Sequence, residues 1–427
     1  MNSFMTAQST ASCSPLTAEQ SRNYSLNRVF LFCVFCLAFT PGFGRVVAHS
    51  ATLLLTPLAL LIMMCLWRTQ PRPYQSVSFI AWLYILVNVI AILRGFWADC
   101  YPWETSKQIP VVIFSQYHVG LLLPCIALMQ FNAMTVVIKL AKLASLLFAL
   151  FLLWHADTFF NLSAIQDDYS VACALFATLR CFIWMSMVVL FIPKLVDPWA
   201  YKRACLVLVA GLFVALFFAR RGTFIMLILF VFTTACVEPH SPKKKLIWFW
   251  LLLFLGWSVL SFFSGNFTQM LSERGGFEAA SRSNIIEMQM TQTSPKEFVL
   301  GKGIFGFYVG YDFVFDEIRK EYVDVNRFHT EVGFMDIIMH TGLIGLLLHV
   351  LALGIAVIKG LFFSVSDTAK GMALFVFVAI CELIPYGLQT YSFYYVLVWL
   401  FASMLYSPRF RSLTDDAIKQ LVAAHEI

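Results

Sequence analysis

Two adjacent arginines, Arg220 and Arg221, stand between two long apolar runs near the middle of the chain. An arginine inside a membrane is costly, so it usually faces a cavity or a charged partner. Its planar guanidinium matches two phosphate oxygens at once. The pair therefore predicts a phosphate-binding position at a membrane face. The alternative is that both side chains reach lipid headgroups from a helix end.

A third arginine, Arg282, lies in the one long polar stretch of the chain, 264–333. Residues 281–290 follow the pattern of an amphipathic helix that ends near Pro295. A glycine-rich turn at 301–306 comes next, and glycines let a backbone approach a ligand closely. These features predict a binding loop. The alternative is an ordinary solvated loop.

A histidine, His329, stands near the end of this stretch, two residues before Glu331. A histidine beside a carboxylate at a membrane boundary can act as a general base, because its pKa lies near neutral pH. The alternative is an interfacial histidine without a chemical role. His340 and His349 follow at intervals of 11 and 9 residues, which form no metal-binding face. We expect both to be packing residues or polar contacts.

Metal and cofactor motifs are absent from the sequence. It contains no His-x-x-x-His pair, cysteine cluster, paired-carboxylate motif or Walker-type phosphate loop. We therefore expect no metal and no cofactor. Most of the eleven cysteines, including the pair Cys33 and Cys36, fall within apolar runs, so no disulfide framework is expected.

The elements that must position these residues follow from composition. Hydrophobic residues make up 60% of the 427 residues and charged residues 13%, whereas soluble domains carry about 25% charged residues. Apolar runs long enough to cross a membrane recur between positions 28 and 406. The net charge of +6 is no sign of nucleic-acid binding, because most lysines and arginines lie in short connectors.

The fold class we expect is all-α: a polytopic membrane protein of about 12 transmembrane helices, with one long periplasmic loop between spans 9 and 10. The expected parts are a disordered cytoplasmic tail (1–27), nine spans (28–263), the periplasmic loop (264–333), three spans (334–406) and a second cytoplasmic tail (407–427). The predicted spans are 28–43, 50–67, 77–93, 109–129, 133–154, 169–192, 204–218, 223–237, 246–263, 334–358, 369–388 and 391–406.

Charge in the connectors predicts the orientation. Basic residues cluster in the connectors after spans 2, 6 and 8 and in the C-terminal tail, and such clusters mark the cytoplasmic side. The basic residues are Arg68, Arg72, Lys194, Lys202, Arg203, Lys243, Lys244, Lys245, Arg409, Arg411 and Lys419. Both termini are then cytoplasmic, and the loop 264–333 is periplasmic.

Taken together, these features resemble the superfamily of O-antigen polymerases and O-antigen ligases, which are GT-C-type integral membrane glycosyltransferases. The resemblance covers about 220–345 and is elsewhere only a match in hydropathy. The stretches that carry it are Ala219-Arg220-Arg221-Gly222, Ser281-Arg282-Ser283, Pro295, Gly301-Lys302-Gly303-Ile304-Phe305-Gly306, Phe328-His329-Thr330 and Gly342-Leu343-Ile344-Gly345.

The resemblance implies metal-independent glycosyl transfer on the periplasmic face of the bacterial inner membrane. The donor would be an undecaprenyl diphosphate-linked glycan, bound by Arg221 and Arg282 with Arg220 beside them. His329 would take the proton of the acceptor. His329 precedes Gly342 by 13 residues, two more than the family spacing, so a strict count puts Glu331 in its place. The lipid bilayer and a polysaccharide chain-length regulator are the other implied partners.

Three functions remain open from the sequence. The first is a polymerase that joins repeat units of O-antigen or a related surface polysaccharide, favoured because its branch is the more variable. The second is a ligase that moves the glycan to lipid A-core. The third is a transporter or flippase, which should carry charges deep in its spans. Here the notable charges lie at the outer boundary and in the one long loop, and Arg180 and Glu382 are the main deep exceptions.

Overall fold

Helices dominate the fold. The computed structural model describes residues 18–39, 45–69, 75–97, 134–156, 169–217, 221–237, 281–304, 306–316, 321–327, 332–384 and 393–424. We number the helices of these residues as follows: α1 Ala18–Phe39, α2 Arg45–Thr69, α3 Gln75–Trp97, α4 Met134–Trp154, α5 Tyr169–Phe191, α6 Pro198–Phe217, α7 Arg221–Val237, α8 Ser281–Thr291, α9 Pro295–Leu300, α10 Gly333–Phe362, α11 Asp367–Glu382, α12 Phe393–Tyr406, α13 Pro408–Arg411 and α14 Asp415–Ala423. A short 3-10 helix, Pro193–Leu195, joins α5 to α6.

Ten of the twelve predicted spans coincide with one of these helices. The other two, 109–129 and 246–263, lie outside the described residues. Within the part of the chain that the structure describes, three helical segments are long and apolar enough to cross a membrane: Met134–Trp154, Pro198–Ala215 and Gly333–Phe362. The chain is therefore largely helical, with helices that fit a bilayer by length and composition, while the count of twelve spans stays a prediction.

The described residues agree with the all-α expectation except for one antiparallel hairpin. Its strands, β1 (Tyr308–Asp316) and β2 (Glu321–Arg327), lie in the stretch predicted as a loop, with an irregularity in register between Gly310 and Val314. Aromatic and β-branched residues fill both strands, and such residues fit a pleated surface better than a helix. The polar residues between them obscured this pattern in the sequence.

Both predicted tails contain helix. The tail predicted as disordered over 1–27 is helical from Ala18 onward, because residues 18–27 include good helix formers that extend α1 beyond its apolar part. At the other end of the chain, Thr414 caps α14, and Ile418 and Val422 are buried. The C-terminal segment therefore folds against the bundle.

The core is built around α5. Every residue from Phe182 to Ile192 is buried, as expected for a helix with neighbours on all sides. Trp184 contacts the ring of Phe230 on α7, and its indole N–H donates to Glu382 Oε1 on α11 at 2.7 Å. The outer helices differ, because they expose large apolar side chains such as Leu54, Leu61, Phe79, Leu86, Leu153 and Trp154.

The bundle has two ends. At the first, which we call the loop end, Phe334 N–H at the start of α10 donates to the carbonyl of Leu383, just after α11. At the second, which we call the opposite end, Lys194 donates to the carboxylates of Asp367 at 2.7 Å and Asp415 at 2.8 Å. Lys194 lies between α5 and α6, Asp367 follows α10, and Asp415 follows α12. The predicted topology assigns all three of these segments to the cytoplasm.

Candidate functional site

The predicted site residues begin two helices. Arg221 is the first residue of α7, and Arg282 is the second residue of α8. The side chains of both, together with Arg220, His329 and Glu331, lie outside what the structure describes. Their predicted roles therefore stay predictions, and the described residues show the elements that hold the backbones of Arg221 and Arg282.

The frame begins with a break in α10. Gly342 has φ 74° and ψ −178°, so the helix is interrupted there, nine residues after its start. Only glycine adopts this conformation readily. An interruption leaves carbonyls of the preceding turn without their usual partner in the next turn. Such carbonyls need donors from elsewhere.

The glycine-rich turn of the loop supplies those donors. Lys302 N–H donates to the carbonyl of Met339 at 2.6 Å, and Gly303 N–H donates to that of His340 at 3.2 Å. A Cβ on Gly301 would overlap the carbonyl of His340. We call this contact between residues 301–303 and 339–342 the glycine junction. The turn was predicted to approach a ligand, but in the structure it packs on α10.

Helix α9 leads into the junction and is fixed at both ends. Ser294 and Glu297 form a reciprocal capping box at its start, and Arg94 of α3 donates to the carbonyl of Leu300 at its end. Burial raises the pKa of Glu297, but hydrogen bonds from Ser294 and the charges of Lys302 and Arg94 lower that pKa by more. The net pKa is lowered, which keeps the capping carboxylate ionised.

A small apolar cluster joins α8 and α9 to the start of α10. Val332, Met335 and Ile338 are buried together, with Ile286 of α8 and Phe298 of α9 packed against them. The Gln289 side chain adds a polar contact, because its amide donates to the carbonyl of Met335 at 3.2 Å. Two turns of helix, about 10 Å, separate the backbone of Arg282 from that of Gln289.

The hairpin is tied to the end of α8 by one glutamine. Val309 N–H donates to Gln292 Oε1 at 2.8 Å, and Gln292 Nε2 donates to the Val309 carbonyl at 2.9 Å. Lys302 Nζ donates to the carbonyls of Gln292 at 2.8 Å and Phe307 at 3.3 Å. The strand that leads to the His329 segment is therefore held by α8 and by the junction.

His340 and His349 are both buried, as predicted for packing residues or polar contacts. His340 Nδ1 lies 2.6 Å from the carbonyl of Asp336, which only accepts, so Nδ1 carries a proton. His349 Nδ1 pairs with the hydroxyl of Tyr84 at 2.9 Å, and Trp399 contacts the imidazole ring edge to face. The polar contact of His349 with Tyr84 joins α10 to α3.

The start of α7 belongs to the same end of the bundle as the glycine junction. Asp197, just before α6, pairs with Lys142 at the opposite end. Helix α6 has 20 residues and therefore spans about 30 Å. Four residues after the end of α6, Arg221 begins α7, and α7 packs against α11. The backbone of Arg221 thus lies at the loop end, as does α8, whose Gln289 contacts the start of α10.

Sequence reasoning missed Gln292, Arg94 and Asp336. The side chains of Gln292 and Arg94 form hydrogen bonds with backbone atoms of residues distant in sequence. No sequence pattern predicts such pairs. Asp336, fully buried in the first turn of α10, precedes His340 by four residues. The contact of His340 is with the backbone carbonyl of Asp336, which a residue of any type would offer. Within the described ranges, no three His, Cys, Asp or Glu residues come together as a metal site would require.

No protein-family model, curated protein or solved structure matches the chain.

Proposed function

We propose that the chain is a multi-pass enzyme of the bacterial inner membrane that polymerises undecaprenyl diphosphate-linked repeat units of O-antigen or a related surface polysaccharide. The reaction would take place on the periplasmic face, at the loop end. The glycine junction carries the proposal. The two glycine stretches named in the resemblance, 301–306 and 342–345, are far apart in sequence, and in the fold the first packs on the break that begins the second.

The position of the two arginines supports the same proposal. Arg221 and Arg282 each lie in the first turn of a helix. The first turn leaves backbone N–H groups without intrahelical partners, and the helix dipole adds positive potential there. A diphosphate meets favourable charge at such a position, from the backbone and from the guanidinium alike.

The proposed chemistry needs few groups. The acceptor hydroxyl attacks the anomeric carbon of the donor glycan, and the bond from that carbon to the diphosphate oxygen breaks. The hydroxyl proton passes to His329, with Glu331 as the rival base. Undecaprenyl diphosphate leaves with its electron pair, and Arg221 and Arg282 stabilise the developing negative charge. Diphosphate leaves readily, so no strong general acid is needed.

Glu382, a buried charge of the bundle, lies off the midplane toward the loop end. Glu382 lies 15 residues along α11 from Asp367, which is about 22 Å of helix. The midplane of a hydrocarbon layer lies about 15 Å from either face. Glu382 therefore lies about 7 Å from the midplane, on the side of the loop end, whereas transporters hold their substrates near the midplane itself.

Reconstituted protein and one defined donor test the proposal. The full chain in lipid nanodiscs is mixed with undecaprenyl diphosphate carrying one repeat unit, with and without lipid A-core. We expect a ladder of longer lipid-linked glycans without lipid A-core. Glycan found only on lipid A-core identifies a ligase instead. In vesicles, movement of the lipid between leaflets without any covalent product identifies a flippase.

A further inference from the structure

The segment between Arg282 and His329 is closed into a ring by a single side chain. Gln292 follows α8 directly, and its amide satisfies both backbone polar atoms of Val309. The enclosed residues, 293–308, contain α9 and residues 301–303 of the glycine junction. A glutamine that bonds the N–H and the carbonyl of one residue has its amide plane fixed, because both bonds must be made together.

The ring connects the two halves of the proposed site. Val309 is paired with Asn326 across the hairpin, and β2 ends at Arg327, two residues before His329. Before Gln292 in the chain, α8 is a continuous helix of 11 residues, about 16 Å long, and contains Arg282 in its first turn. A rigid helix, one amide clamp and one strand pair therefore lie between the arginine and the histidine.

We propose that Gln292 is a positioning residue, which fixes the distance between Arg282 and the segment that carries His329. The inference rests on the proposed function, because it concerns the geometry of that reaction. Gln292 touches no reacting atom in this assignment. It acts through the backbone of Val309, and Lys302 supports it by binding the carbonyls on both sides of the clamp.

Loss of the clamp should affect catalysis more than folding. Gln292 and Val309 are only partly buried, so water can replace the two bonds at modest cost. A misplacement of about 1 Å between reacting groups can lower a rate by roughly 100-fold. Gln292→Ala should therefore lower kcat at least about tenfold and leave the donor KM within about twofold, because each arginine still binds diphosphate.

The experiment compares three variants of the full chain in nanodiscs. Gln292→Ala removes both bonds. Gln292→Glu keeps the acceptor for Val309 N–H but removes the donor to the Val309 carbonyl. Gln420→Ala is the matched control, on the exposed face of α14. Hydrogen exchange of the peptide containing Val309 reports the clamp, and elongation of a one-repeat donor reports kcat and KM.

We expect faster exchange at Val309 in Gln292→Ala, near-native exchange in Gln292→Glu, and a fall in kcat that is largest for Gln292→Ala. Unchanged exchange in Gln292→Ala would show that the clamp does not form. Faster exchange with unchanged kcat would show that the clamp does not position the site, as would an equal loss in Gln420→Ala. A wild-type chain that elongates nothing overturns the proposed function, and the positioning role with it.

Discussion

The two ends of the bundle are held by different kinds of bond. At the loop end, backbone N–H groups of Lys302 and Gly303 meet backbone carbonyls of α10. At the opposite end, charged side chains meet one another, with Lys194 between Asp367 and Asp415. A Cβ on Gly301 or Gly342 would overlap backbone atoms of this contact, whereas exposed ion pairs are individually weak. The loop end should therefore be intolerant of substitution and the opposite end permissive.

The largest expected effect is at Gly342. An alanine there must adopt φ near 74°, and its Cβ would overlap the carbonyl of Val299. Such backbone strain costs roughly 1–3 kcal/mol, and relief of the overlap requires the loop to move away from α10. We expect Gly342→Ala to lose elongation completely and to make the segment 294–304 accessible to protease.

The control for Gly342→Ala lies in the same helix. A Cβ on Gly354 would meet no heavy atom within 4 Å, and alanine is the better helix former. Gly354→Ala should keep wild-type activity and a melting temperature no lower than that of the wild type. If Gly342→Ala and Gly354→Ala show the same elongation and the same stability, the glycine junction is not needed for activity.

The next effect concerns the two arginines at helix starts. Removal of one preorganised donor to a developing negative charge costs about 3–4 kcal/mol. Arg221→Ala and Arg282→Ala should each abolish long glycans while expression stays normal. Arg409→Ala, exposed at the opposite end, is the matched control. Wild-type banding in either loop-end variant excludes that arginine from the site.

A smaller effect distinguishes His329 from Glu331. General base catalysis contributes roughly 100-fold to 10,000-fold, so His329→Ala should lower kcat within that range. Glu331→Ala should lower kcat less, because His329 takes the acceptor proton in the proposed reaction. Rates of elongation measured for both variants decide between them. The reverse order would favour the strict spacing of the family motif.

The smallest effect is expected at the opposite end. Burial raises the pKa of Asp415, but bonds from Lys194 and Thr368 lower it by more, so its net pKa is lowered. A lowered carboxyl pKa stabilises the fold above the unfolded value of about 3.9 and loses that effect as the pH falls through the folded value. Hydrogen bonds from Lys194 to Asp367 and Asp415 raise the lysine pKa, so Lys194 stays charged throughout this range.

Lys194→Met should therefore cost about 1 kcal/mol at pH 7 and leave elongation unchanged. Thermal unfolding measured from pH 7 to pH 3 gives this loss of stability. The difference in stability between Lys194→Met and the wild type should become smaller as the pH falls. A large loss of elongation in this variant would contradict the contrast between the two ends.

The helices were predictable because an apolar run of membrane length satisfies its backbone hydrogen bonds best as a helix. The pattern located α4 and α5 within one or two residues of their ends. The hairpin was missed because polar residues break the alternation of its strands. The break at Gly342 could not be foreseen, since it depends on donors supplied from 40 residues earlier in the chain. The partners of Gln292 and Arg94 were hidden for the same reason.

The central claim is that a lipid-linked glycan reacts at the loop end. Vesicles containing the full chain in one orientation, sorted by accessibility of the C-terminal helix, test it when the donor is supplied to one leaflet only. Glycans should lengthen when the donor is in the leaflet at the loop end, and not when it is in the other leaflet. Elongation only from the leaflet at the opposite end would contradict the account, as would lipid movement without elongation.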